Sequence, residues 1–297
     1  MSTRKAVLIS NPKTGRYISR RKTVQELASD LQSLGIDVEL KLTKGPGDAT
    51  EIAAQAAGNG STDVIVAGGD GTINEAIQGL VGTDSRLGIL PRGTANVLAR
   101  ELGLPMNVDE ALSVAARGKT RRIHFGIATN ETTKEQRHFV LMAGIGLDAS
   151  VVRRVNPGLK KRIGKGAFWL SGLSHLATWH PQKFSLEIDG KNYTATFAAI
   201  GKATRYGGDI MVTPRASLDE PEFEVCLIET FSRIRYLQFL SQAMRSGMGH
   251  DREGIRFLKT KKVRAVGAAP VQVDGELVGH LPMTFEISPY SLEVIVP

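Results

Sequence analysis

The sequence predicts a chain in two parts: an α/β N-terminal domain with a parallel sheet covered by helices, then a β-rich, sandwich-like C-terminal domain. Three observations lead there. Apolar, β-branched runs alternate with amphipathic helical patterns as far as about residue 120, the signature of a parallel sheet with both faces covered. Beyond that point short strand-like runs bounded by turn residues dominate. A chain of 297 residues also favours two domains of about 150 residues each. The expected domains are 1–122 and 123–297, with the last strands free to return to the first domain.

Taken in order, Ala6-Val7-Leu8-Ile9 reads as a strand that ends at the breakers Asn11-Pro12-Lys13-Thr14-Gly15. The next helix carries Val24, Leu27, Leu31 and Leu34 on one face. Asp37 to Leu42 alternates like a strand, and Gly45-Pro46-Gly47-Asp48 breaks the chain and caps a helix with Ile52, Ala53, Ala56 and Ala57. Asp63 to Ala67 is a buried strand, followed at once by Gly68-Gly69-Asp70-Gly71-Thr72 and a helix with Ile73, Ala76, Ile77 and Leu80. Leu87 to Leu90 is a further strand, closed by Pro91-Arg92-Gly93-Thr94-Ala95-Asn96, and a helix runs on through Leu98, Ala99 and Leu102.

In the second half Phe139 to Ala143 reads as a strand leading to the turn Gly144-Ile145-Gly146-Leu147-Asp148-Ala149. Further strands are Phe184 to Ile188, Tyr193 to Ile200, Phe223 to Ile228, Val263 to Val266, Val271 to Val273, Phe285 to Ile287 and Leu292 to Val296. One amphipathic helix interrupts them, with Ile234, Leu237, Phe239, Leu240 and Met244.

The turn from Gly68 to Thr72 carries the chemistry. Glycines between a strand and a helix allow close backbone approach, and the free N–H groups and dipole of the helix start favour an anion. Parallel sheets bind ligands at the carboxyl ends of their strands, where the Gly-rich turns of this half lie. An aspartate inside a phosphate cradle implies a metal or a proton, so Asp70 is expected in one of those roles.

The formal charge of +8 and a pI near 9.6 point to an anionic partner. Cys226 is the only cysteine, which excludes a disulfide framework and a thiolate metal cluster. The apolar run at the N-terminus is too short for a signal-peptide core. No apolar stretch reaches the length of a membrane span, about 18 residues. A cytoplasmic protein able to visit a membrane surface is expected. Two basic runs exist, Arg117 to Arg122 and Arg153 to Lys165, without interleaved aromatics, so nucleic acid is not the expected partner.

With both Gly-rich segments placed, Gly68-Gly69-Asp70-Gly71-Thr72 and Pro91-Arg92-Gly93-Thr94-Ala95-Asn96, the chain resembles the diacylglycerol kinase family, in its bacterial lipid kinase branch. That branch is related to sphingosine kinases and remotely to NAD kinases. Asn11-Pro12 with Gly15, Thr43 with Asp48-Ala49, Asn74-Glu75, the turn from Gly144 to Ala149, Tyr206-Gly207-Gly208, Pro214 with Ala216, and Asp274-Gly275-Glu276 match further family positions in the family's order.

The resemblance implies an ATP-dependent lipid kinase with its active cleft between the domains, acting on a hydroxyl of diacylglycerol or a related lipid. ATP would contact Asn11, Thr43, Gly68, Gly69, Asp70, Gly71, Thr72, Asn74, Gly93 and Thr94. Glu276 would be the base, with Asp274 beside it, and Asp70 would organise magnesium. A second, structural magnesium would take Ser217 and Glu222 through their carbonyls and Glu220 through its carboxylate, although Pro221 stands where the family has glycine. The family's other two magnesium-organising aspartates are replaced by Val97 and His124. The lipid would be met at a membrane surface, with the basic runs facing anionic headgroups, and a homodimer is allowed. The alternatives are a NAD kinase-like phosphotransferase and a nucleotide- or lipid-binding relative without catalysis.

Overall fold

The computed structural model describes residues 4–12, 22–146, 182–206, 210–232, 234–236, 238–239 and 254–297. These residues form two compact units, Met1–Ile123 with Tyr290–Pro297, and His124–Pro289.

The first unit runs β1 (Arg4–Ser10), α1 (Val24–Ser33), β2 (Ile36–Leu42), α2 (Asp48–Gly58), β3 (Asp63–Gly68), α3 (Asp70–Leu80), β4 (Arg86–Pro91), α4 (Val97–Glu101) and α5 (Val108–Arg117). Its strands lie in the order β2-β1-β3-β4, all parallel. The registers Ala6 to Asp63 and Asp63 to Arg86 put the ends of β1, β3 and β4 level, so the turns that follow them emerge side by side. One face is covered by α1 and α5, whose Leu27, Leu31, Ala111, Leu112 and Ala115 pack on Ala6, Leu8, Ile65, Ala67 and Leu90. Helix α1 starts with a capping box in which Thr23 and Glu26 satisfy each other's backbone amides. Helices α2 and α3 pack tightly together: a Cβ on Gly79 would stand 2.2 Å from the carbonyl oxygen of Thr50. Only glycine permits that approach, and Thr50 Oγ1 donates to the Glu75 carbonyl at 2.8 Å across the same contact.

At the amino end of the sheet Asp63 is fully buried between two arginines. Arg4 reaches its Oδ2 from Nη2 at 2.6 Å, and Arg86 Nε reaches its Oδ1 at 2.6 Å. Arg4 also donates to the carbonyls of Ala115 and Ala116, tying the last turn of α5 to the strand.

The second unit contains most of β5 (Thr120–Asn130), β6 (Gln136–Phe139), β7 (Met142–Gly146), β8 (Phe184–Ile188), β9 (Lys191–Ala195), β10 (Phe197–Gly201), β11 (Arg205–Tyr206), β12 (Ile210–Met211), β13 (Phe223–Ile228), β14 (Ile255–Thr260), β15 (Lys262–Val266), β16 (Pro270–Val273), β17 (Glu276–His280) and most of β18 (Met283–Ile295). One sheet runs β9-β8-β15-β18 and another β14-β13-β10-β7-β16-β17, with antiparallel neighbours throughout. Their inner faces follow the period of two that a half-buried strand requires. Phe184, Leu186 and Ile188, Val263 and Ala265, and Met283 and Phe285 come from the first sheet. Ala143 and Ile145, Ala198 and Ile200, Val225 and Leu227, and Val271 and Val273 come from the second, all in one core. This is a sandwich. Strand β18 continues into the first unit, where Val294 pairs in parallel with Leu87.

Several elements differ from the sequence reading. Tyr193 to Ile200 is two strands in different sheets, broken at the buried Thr196. Its Oγ1 lies 2.5 Å from the Tyr236 hydroxyl and donates to the carbonyls of Ile228 and Thr230, so a polar residue closes the corner. Phe285 to Ile287 and Leu292 to Val296 belong to the single long strand β18. Gly144-Ile145-Gly146 lies within β7 rather than in a turn. Strands β5, β14 and β17 and helix α5 escaped the reading; β17 is exposed along most of its length and shows no apolar period. Ile234 is exposed and Tyr236 buried, opposite to the expected apolar face of that helix. Gly15, residues 147–149, Gly207-Gly208, the basic run 153–165, Leu237, Leu240 and Met244 lie outside the described residues.

Candidate active site

In the first unit a cavity of about 380 Å³ opens at the carboxyl end of the sheet, lined by Asn11, Thr43, Lys44, Gly45, Pro46, Gly69, Gly71, Thr72 and Glu75. Five of the residues expected to hold nucleotide are in this lining: Asn11, Thr43, Gly69, Gly71 and Thr72. Two helix starts supply its character. Gly69 is the N-cap of α3 and Gly47 the N-cap of α2, and neither glycine can cap its helix with a side chain, although Glu75 Oε2 accepts from Ala49 N at 3.4 Å in the first turn of α2. Such starts favour an anion. Lys44 adds a cation, and Asp48 fixes its backbone by accepting from the amides of Lys44 at 2.6 Å and Gly45 at 3.0 Å. Asp48 therefore holds the turn before α2 rather than capping the helix with its side chain. The sequence reading missed Lys44, Gly45, Pro46 and Glu75; the signal available was the adjacency of Lys44 to Thr43 and to a Gly-Pro-Gly break.

The other expected nucleotide contacts form the frame of this cavity. Gly68 ends β3, and its carbonyl accepts from Arg92 N at 2.9 Å. A Cβ on Gly93 would sit 2.6 Å from Gly69 Cα, so the two turns touch backbone to backbone. Asn96 closes the second turn, its Oδ1 accepting from Gly93 N at 2.8 Å and its Nδ2 donating to Gly93 O at 3.0 Å. It holds a positive φ of 48°, a conformation that asparagine tolerates better than most residues. Thr94 is exposed on that turn and lies outside the cavity lining. Asn74 is buried on α3 and accepts from Gln78 Nε2 at 3.0 Å, away from the lining.

Asp70 links the two turns. Its Oδ1 accepts from the amide of Val97, the first residue of α4, at 2.6 Å. Burial pushes its carboxyl above the ordinary aspartate range, and the amides of Val97, Leu98 and Asn96 pull it back down. Val97 is buried, so the position where the family places a second acid is part of the core here. No cluster of three or more Asp, Glu, His or Cys residues that could hold a metal occurs among the described residues. Magnesium at this site would therefore be held by Asp70 and the nucleotide phosphates, which suits an ion that keeps most of its water.

In the second unit Asp274 and Gly275 form the two-residue turn between β16 and β17, with φ of 47° and 86°. Positive φ at both positions is the requirement of the tightest hairpin turn. The Asp274 carboxylate accepts from three consecutive amides, Val140 at 2.8 Å and Leu141 and Met142 each at 2.9 Å. It is committed to shaping the segment between β6 and β7. Glu276, at the start of β17, is half-exposed and receives Arg137 Nη2 on its Oε2 at 2.8 Å. Of the two expected carboxylates Glu276 is the more exposed. Arg137, which the sequence reading did not single out, orients it. His124 donates its backbone N–H to Leu218 O at 2.7 Å.

The residues expected around a structural magnesium are together, but on a different cation. The carbonyls of Ser217, at 2.7 Å, Glu220, and Glu222, at 3.1 Å, accept hydrogen bonds from Lys202 Nζ. The Glu220 carboxylate, expected as a ligand, belongs to an exposed residue, and the Glu222 carboxylate pairs with Lys259. These residues do not fit a magnesium ion, because an ammonium stands among their oxygens.

Residues 5–128 match the family described as diacylglycerol kinase catalytic domain, and residues 142–296 match the YegS C-terminal NAD kinase beta sandwich-like domain. The chain is 29% identical over 301 residues to a diacylglycerol kinase of Bacillus subtilis (strain 168), covering 99% of this chain and 97% of that protein. It is also 29% identical over 298 residues to a diacylglycerol kinase of Mycobacterium tuberculosis (strain ATCC 25618 / H37Rv), covering 99% and 95%. A crystal structure of a diacylglycerol kinase from Bacillus anthracis str. Sterne aligns with a TM-score of 0.74 at 21% identity, over 100% of this chain and 98% of that one; this likeness speaks for the fold.

Proposed function

The chain belongs to the diacylglycerol kinase family, in its bacterial lipid kinase branch, and on that premise we propose that it transfers the γ-phosphate of ATP to a hydroxyl of diacylglycerol or a closely related lipid. The matched catalytic domain and the named relatives share the description diacylglycerol kinase, which supports an ATP-dependent lipid kinase. The observation that carries the reading is the cavity of the first unit, with Gly69, Gly71, Thr72 and Lys44 on its wall. Its helix starts and cation suit a polyphosphate.

In this reading the amides of the turn and Lys44 bind the phosphates, with Thr43 and Asn11 beside them. Magnesium on the phosphates would offset the negative charge that builds on them during transfer. Asp70 would hold that ion, and its bond to Val97 N holds the start of α4 in place. The lipid hydroxyl oxygen bonds to the γ-phosphorus as the bond from the γ-phosphorus to the β–γ bridging oxygen breaks, leaving ADP. Glu276 accepts the hydroxyl proton, and Arg137 fixes the direction in which its carboxylate points. Asp274 acts through Val140, Leu141 and Met142 and takes no proton. No helix among the described residues is long and apolar enough to cross a membrane. The basic residues Arg117, Lys119, Arg121 and Arg122, with the run 153–165, are the proposed contact with anionic headgroups. A homodimer is compatible with this arrangement.

The test is direct. Purified protein, magnesium and radiolabelled ATP are incubated with mixed micelles of diacylglycerol, or separately with NAD. Label in the phosphorylated lipid supports the reading, while label in NADP alone, or in neither product with nucleotide binding retained, overturns it. Glu276→Gln is expected to lower kcat by roughly 10²- to 10⁴-fold, the usual contribution of a general base.

A further inference from the structure

Lys202 follows strand β10 and has no solvent exposure at all. A fully buried ammonium is costly unless each of its donors finds an acceptor. Lys202 meets that condition completely: an ammonium has three N–H donors, and its Nζ donates to three carbonyls, those of Ser217, Glu220 and Glu222. The three acceptors come from one short loop, so the lysine closes that loop on itself in the way that a coordinated ion would. The loop is anchored next to this cage as well. The buried Glu224 accepts from Arg215 N at 2.6 Å and from Arg215 Nε at 2.9 Å.

The geometry points to Lys202 as a built-in cation: its ammonium takes the seat that the loop 217–222 would otherwise offer to a divalent ion, so the second unit folds without a structural metal. The donor set agrees with this. The seat consists of backbone carbonyls, hard oxygens of the kind that also take part in coordinating divalent ions. Pro221 lacks an N–H and fixes its own φ, which stiffens the loop without competing for those oxygens.

The test uses the full chain without nucleotide, so that a metal bound with ATP does not enter. For the unaltered protein, metal analysis after desalting is expected to find no stoichiometric divalent ion. Its unfolding midpoint is expected to stay the same in EDTA, magnesium or calcium. Glu220→Gln is expected to leave that midpoint unchanged, whereas a metal held by the Glu220 carboxylate would make it fall. Lys202→Ala leaves three buried carbonyls without a donor and is expected to lower the midpoint by roughly 10 °C. Millimolar magnesium or calcium should recover part of that loss in the variant only. A bound divalent ion in the unaltered protein, a midpoint that drops in EDTA, or a Lys202→Ala protein that ignores both metals would each overturn the inference. Should Lys202→Ala not fold, the metal analysis, the EDTA series and Glu220→Gln decide the matter on their own.

Discussion

The carboxylate of Asp70 accepts the backbone N–H of Val97 at 2.6 Å, joining the turn after β3 to the first residue of α4. The proposed metal organiser is thus also the cap of a helix that follows the neighbouring strand. Substitution separates the two roles. Asp70→Asn keeps an acceptor oxygen for Val97 and removes a charge that burial disfavours. The folded-state pKa is raised, so ionisation of Asp70 costs stability as pH rises through it. Asp70→Asn is therefore expected to melt no lower than the parent at pH 7, with its advantage shrinking as pH falls toward the usual aspartate range. Lipid phosphorylation by the variant is expected to collapse. Thermal unfolding against pH, run beside the kinase assay, checks both. An active Asp70→Asn would remove Asp70 from the chemistry.

Asp274 and Glu276 should respond in opposite ways. Asp274→Ala releases three amides at once and is expected to cost about 2–4 kcal/mol, by the usual penalty for partly buried donors left unmade. Glu276→Gln loses only a half-exposed ion pair with Arg137, worth at most about 1 kcal/mol, yet it should abolish most turnover. Denaturant unfolding and kcat measured on both variants decide this. A stable, inactive Asp274→Ala together with an active Glu276→Gln would reverse the assignment.

The contact of Gly69 with Gly93 makes a steric prediction. A Cβ at position 93 would fall 2.6 Å from Gly69 Cα and 2.7 Å from Asn96 Oδ1, neither of which can yield without moving a turn. Gly93→Ala is expected to destabilise by about 1–3 kcal/mol. It should also weaken nucleotide binding roughly tenfold. Titration calorimetry with a non-hydrolysable ATP analogue reads the binding loss. Unchanged affinity would show that the turns do not need to touch.

At the far end of the sheet Asp63 is a pure stability residue. Replacing it with Ala leaves Arg4 and Arg86 facing each other without their shared anion, a loss of about 3–5 kcal/mol for a broken buried pair. Kinase activity measured well below the new melting point should be unaffected, because the triad sits at the amino ends of β3 and β4 and the cavity at their carboxyl ends.

Much of this protein is legible along the chain. The alternation of Val64, Ile65 and Val66 with the helical spacing of Ile73, Ala76 and Ile77 gives the βα unit, and the glycines between them mark the cradle. The period of two in Phe184, Leu186 and Ile188 marks a sandwich strand. Strand β17 was not legible, because it is exposed along most of its length and shows no apolar period. The single-strand reading of Tyr193 to Ile200 failed because Thr196 looks locally like any strand residue. Its corner depends on Tyr236 and Thr230, more than thirty positions away.

The sequence by itself determined the element types, the two Gly-rich turns and the family resemblance, because propensity, period and motif spacing are properties of short windows. Only the tertiary structure decided what the charged side chains do. Asp70 finds Val97 across 27 positions, Asp274 finds Val140 across 134, and Lys202 finds Glu220 across 18. A buried charge takes whatever partner packing brings within about 3 Å, and no window of sequence holds that distance.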